Sequence, residues 1–87
     1  MAQGTVSAVS EGGGFVRFAF HGVTPKAAEV AVFDVAGRRL TRLTGHAEQA
    51  MRWDGRDASG RKVASGMYFY CVQAEGTTFW GRLVYLR

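Results

Sequence analysis

Twelve glycines divide the chain into short apolar runs, and no run between them carries a sustained helical period. Glycine weakens a helix by about 1 kcal/mol per interior position and supplies the positive φ angles that tight turns require. A chain punctuated in this way reads as short strands joined by turns. GFVRFAFHG alternates, with Val16, Phe18 and Phe20 on one face and Phe15, Arg17, Ala19 and His21 on the other. Pro25 in VTPK sets a turn. AAEVAVFDV is a second strand whose core face is Ala28, Val30 and Val32, and Asp34 to Gly37 turn the chain into RRLTRL. A GHAEQ connection leads to a short AMRW strand. MYFYCVQA is the strongest strand in the chain; a turn at Glu75 and Gly76 closes it, and TTFWGRLVYLR is the last strand. Residues 1–13, small and polar, read as a flexible N-terminal arm able to add a short strand near Thr5 to Val9, and residues 14–87 as one domain. About seven strands, with turn signals roughly every 8–12 residues, specify an all-β, antiparallel β-sandwich.

A chain of 87 residues buries roughly 60–65% of the surface it exposes when unfolded, enough for one thin core. The 47% hydrophobic and 13% aromatic content argues against disorder. A formal charge of +4, carried mostly by arginine, could attract nucleic acid, an anionic membrane or an acidic partner protein. Acidic residues are interspersed, however, and the densest basic cluster is only Arg38, Arg39 and Arg42, so nucleic-acid binding is disfavoured. The single cysteine, Cys71, excludes an internal disulfide and a multi-cysteine zinc site. No apolar run approaches the roughly 20 residues of a membrane-spanning helix. The first residues, MAQGTVSAVSEGGG, lack the basic and apolar regions of a signal peptide.

The one stretch that concentrates reactive residue types is WDGRDASGRKVASGMYFY, residues 53–70. As a calcium loop it fails: counting from Asp54, the next ligand positions are Arg56 and Ala58. As a carboxylate pair, Asp54 and Asp57 would have to converge in a pocket with shifted pKa values. Aspartates beside glycines are more often turn formers that bond backbone two residues on. Cys71 lies within a strand, and neither His21 nor His46 completes a nucleophile–base pair with it. Gly12 to Gly14 precede neither a helix nor a lysine, so no phosphate loop forms. The expectation is therefore a protein without enzymatic activity, metal, cofactor or small-molecule substrate. Read as turn chemistry, Trp53 ends a strand and caps the core, while Asp54-Gly55 and Ser59-Gly60 form tight turns. Val63 tucks inward, and Gly66 readmits the chain to the sheet before Tyr68. A tyrosine at this point, its hydroxyl reaching back to upstream backbone, is the tyrosine corner of immunoglobulin-like sandwiches.

WDGRDASGRKVASGMYFY, preceded by VAVFDVAGRRL and followed by GRLVYLR, resembles a family of bacterial immunoglobulin-like modules. These include the FlgD-type domain of the flagellar hook-capping protein and the C-terminal sorting domains of type IX secretion cargo. The resemblance runs from about Phe15 to Arg87, and its specific part is the ordered set W-D-G, D-x-x-G, V-A-S-G and tyrosine. It implies a non-enzymatic spacer, interaction module or sorting signal in an extracytoplasmic setting, the periplasm or cell surface. Trp53, Asp54, Gly55, Asp57, Gly60, Gly66 and Tyr68 carry over as fold-defining positions. Two features depart from the family: VSAVSEGGG stands where sorting domains often open with Pro-Asn-Pro, and Cys71 stands where relatives commonly carry a basic or polar residue.

If Tyr68, Tyr70 and Val72 face the core, then Met67, Phe69 and Cys71 face outward, and all three are apolar. The last strand repeats this pattern, with Leu83 and Tyr85 opposed to Trp80, Val84 and Leu86. Either strand twist, a bulge or the N-terminal arm covers these side chains, or they form an apolar patch for a protein partner or a second copy. Met67, Phe69, Cys71 and Trp80 are the expected centre, with Phe15 extending it and Arg82 and Arg17 as a polar rim. Two functions follow: an assembly subunit or terminal domain that docks through this face, or a sorting domain read through GRLVYLR.

Overall fold

The computed structural model describes residues 4–22, 27–46 and 51–87. The turn expected at Pro25 and most of the GHAEQ connection lie outside them. Seven strands run through the described residues: β1 (Thr5–Glu11), β2 (Phe15–His21), β3 (Ala28–Phe33), β4 (Arg39–Gly45), β5 (Met51–Trp53), β6 (Gly66–Ala74) and β7 (Thr77–Tyr85). They form a three-stranded sheet ordered β1-β2-β5 and a four-stranded sheet ordered β4-β3-β6-β7, with every pairing antiparallel. The expected all-β sandwich is the observed architecture.

Alternation sets the register. Val16 and Phe18 of β2, Met51 and Trp53 of β5, and Val30 and Val32 of β3 are buried, as are Tyr68, Tyr70 and Val72 of β6 and Leu83 and Tyr85 of β7. Val16, Val30, Val32 and Val72 have no exposed surface, and each such side chain contributes on the order of 1.5–3 kcal/mol. No polar or charged residue is buried among the described residues. The chain's three tyrosines all enter the core, and each leads its hydroxyl out to a carbonyl. Tyr68 donates to Ala64 at 2.6 Å, Tyr70 to Val6 at 3.1 Å and Tyr85 to Gly14 at 3.1 Å. Tyr70 needs room opposite, and Gly81 provides it, since a Cβ there would overlap the tyrosine ring.

β6 and β7 join through Glu75 (φ 49°) and Gly76 (φ 80°), two positive-φ residues that make a two-residue hairpin matched to strand twist. β1 pairs with β2 from Thr5–His21 to Glu11–Phe15. The segment expected to be an arm thus contributes a seven-residue strand, longer than the short strand anticipated near Thr5 to Val9. Its small, polar residues hid the period, but the Gly12–Gly14 turn brings it back along β2, where Val6 and Ala8 pack on the core. Ser10 Oγ also donates to the Val84 carbonyl of β7, closing one side of the sandwich. Among the described residues no helix is long and apolar enough to cross a membrane.

Candidate interaction face

The connection from β5 to β6 is built around aromatic rings. Trp53, 1% exposed, lies 5.2 Å from the Tyr85 ring and 5.8 Å from Tyr68, the latter nearly edge-on. Its indole Nε1 donates to the Arg56 carbonyl at 2.9 Å. Residues 55–63 fold back as a miniature hairpin: Val63 N–H donates to Gly55 O, Arg56 bridges Lys62, and Asp57 N–H donates to Arg61 O. Ala58 N–H reaches the Leu40 carbonyl of β4 at 2.8 Å, and Val63 packs against the core. Gly55 has φ +77°, and a Cβ on it would overlap the Tyr85 hydroxyl and ring. Lys62 Nζ donates to the Tyr85 hydroxyl at 3.2 Å, which in turn donates to Gly14 O.

The acidic residues here serve the backbone. Asp54 Oδ1 accepts from Arg56 N–H at 3.1 Å. Asp57 Oδ1 accepts from Ser59 N–H at 3.0 Å, Ser59 Oγ at 2.6 Å and Arg61 N–H at 3.1 Å. The pentapeptide DASGR at 57–61 repeats the pattern of DVAGR at 34–38, and the two segments make the same turn. Asp34 Oδ1 accepts from Ala36 N–H and Arg38 N–H, while Gly37 (φ +86°) and Gly60 (φ +89°) occupy equivalent places. Both carboxyls are held below the usual range. The Ser59 hydroxyl bond leads for Asp57, and the Arg38 backbone N–H leads for Asp34. One carboxylate committed to three donors is an acceptor within a turn, unlike a general acid or base. Among the described residues no group of three His, Cys, Asp or Glu side chains could hold a metal ion.

The outward side of the four-stranded sheet differs in kind. Met67 (44% exposed), Phe69 (37%), Trp80 (69%) and Val84 (57%) all point away from the core. Phe33 of β3, which pairs with Phe69, joins them; its ring lies 6.0 Å from that of Trp80. β6 runs between β3 and β7, so the two rings meet above it. They separate two shallow hollows. One is lined by Phe33, Gly37, Phe69, Trp80, Gly81 and Arg82, and the other includes Ala31, Cys71, Arg39 and Arg42.

Three expected members of this surface are placed differently. Cys71 is buried at 8% exposure, because Ala31 and Trp80 flank it in register and the Phe33–Trp80 pair roofs it. Burial, followed by the Glu29 charge, pushes its thiol pKa up. Phe15 and Arg17 belong to β2 in the other sheet. There the Arg52 guanidinium lies 5.8 Å from the Phe15 ring centre, and Glu11 pairs with both Arg17 and Arg52 at 3.2 Å. Phe33 escaped the sequence reading. Alternation from Val32 would have turned it outward, but it sits beside Val32 at a register shift between β3 and β4 and reads as more core.

The family model described as the FlgD Ig-like domain matches residues 6–78, most of the chain. No curated protein and no solved structure gives a significant match.

Proposed function

The chain belongs to the FlgD Ig-like domain family, and on that premise we propose that it is a non-enzymatic module that docks onto a larger extracytoplasmic assembly through the outward face of β6 and β7. The family is one of structural domains. The observation that carries the docking reading is the contiguous exposure of Met67, Phe69, Trp80 and Val84 on one sheet face. Aromatic and methionine side chains concentrated at a surface are the composition of protein interfaces. The loop from Trp53 to Tyr68, with its carboxylates bound to its own backbone, serves to hold the two sheets together.

The test is Phe69→Lys, compared with the parent by sedimentation and by binding to proteins that co-purify with the native chain. Loss of association with melting temperature unchanged supports the reading. Unchanged association, at unchanged stability, removes it.

A further inference from the structure

The strands of the four-stranded sheet carry three arginines, Arg39, Arg42 and Arg82, and one carboxylate, Glu29. Glu29 is engaged by Arg42 at 3.7 Å. Arg39 and Arg82 are exposed and join no ion pair among the described residues. Register places them at the two ends of one row across the sheet: Arg39 opposite Phe33, Phe33 opposite Phe69, Phe69 opposite Arg82. Two aromatic rings are thus bracketed by two unpaired cations. Three inter-strand steps of about 4.8 Å set the arginine backbones about 14 Å apart, close to the span of four residues in an extended chain.

We propose that this face receives an extended, acidic segment of a partner protein lying across the strands. Its carboxylates, four residues apart, pair with Arg39 and Arg82. The apolar side chain midway between them points the same way, because extended residues two apart share a face, and it seats in the hollow of Phe33, Phe69 and Trp80. This rests on the docking reading above and adds the chemistry of the partner. A second copy of the chain is a poorer occupant, since a symmetric contact through this row brings arginine against arginine.

The probe is the peptide acetyl-Glu-Val-Trp-Val-Glu-amide, with a version carrying lysine for both glutamates as control. Each is titrated into the isotope-labelled full chain while backbone amide shifts are recorded. The acidic peptide is expected to move the amides of Phe33, Phe69, Trp80 and Arg82, and the lysine peptide to leave them in place. The double variant Arg39→Glu with Arg82→Glu should weaken the acidic peptide at least about tenfold and admit the lysine peptide; Arg82→Gln gives an intermediate case should the reversal disturb folding. If the double variant binds the acidic peptide as the parent does while Phe69→Lys abolishes binding, the acidic partner is overturned and the apolar face survives. If neither variant matters, or the peptide fails to bind at millimolar concentration, the proposal falls. Self-association through this row, or its preferential occupation by a mixed-sequence oligonucleotide, would equally overturn it.

Discussion

Tyr68 and Phe69 are neighbours in sequence and belong to aromatic clusters on opposite sides of one sheet. Inside, Tyr68 packs with Trp53 and Tyr85, and every polar atom of the three rings has a partner. Outside, Phe69 and Trp80 are exposed, and the half-buried Phe33 ring lies 6.0 Å from that of Trp80. The inner rings have polar tips that fasten loops to the sandwich. The phenylalanines of the outer set have none, so water gains nothing from their display. This difference separates what holds the fold from what the fold presents.

Three substitutions probe the contrast. Removing Trp53 should have the largest effect. Trp53→Ala opens a cavity at the closed end of the sandwich and strips the indole bond to Arg56, at a cost of about 3–5 kcal/mol in a urea titration. For a domain of this size that is a large part of total stability, and retention of the parent's midpoint would mean that the inner cluster is not the structural one.

Tyr68→Phe should cost less, about 1–3 kcal/mol, by orphaning the Ala64 carbonyl while keeping the ring contacts. A thermal melt equal to the parent's would remove the tyrosine-corner assignment. The tyrosine also gives the fold an alkaline limit. Burial, reinforced by the Asp34 charge and Tyr85, raises the Tyr68 phenol above its ordinary pKa, and burial raises Tyr70. A raised folded pKa means that the unfolded chain ionises first. The stabilisation is complete below about pH 10 and is lost as pH climbs through the folded values. Tyrosinate absorbance should therefore rise together with unfolding, and Tyr68→Phe should blunt that coupling.

The inner cluster was legible before the structure because its signals are local. Trp53-Asp54-Gly55 and the D-x-x-G-R turns state their backbone needs in adjacent residues, and Tyr68 follows at fixed spacing. The outer face was legible only in direction. Alternation along β6 shows that Phe69 and Cys71 point outward, but not that rings from the strands on either side close over Cys71. It cannot assign Phe15 to the other sheet, since sheet membership is set by pairings distant in sequence. Alternation from Val32 does turn Phe33 outward, but its place beside Trp80, two strands away, is set by pairings distant in sequence.

Trp80→Ser should have the smallest effect on stability, within about 0.5 kcal/mol of the parent, because the indole is 69% exposed and its ring pairs only with Phe33 among the described aromatic residues. Its consequence should appear in the thiol instead. Cys71 is only 8% exposed beside the Phe33–Trp80 pair, and its raised pKa keeps the reactive thiolate scarce. With the indole gone, Cys71 should react faster with an aromatic disulfide reagent while the melting curve stays put. A large loss of stability would erase the contrast, since the outer cluster would then carry the fold as the inner one does. An unchanged thiol rate would show that the sheet alone covers the thiol. In the parent protein, a segment seated on the face should slow the same reaction further, so the buried cysteine reports whether the outward cluster is occupied.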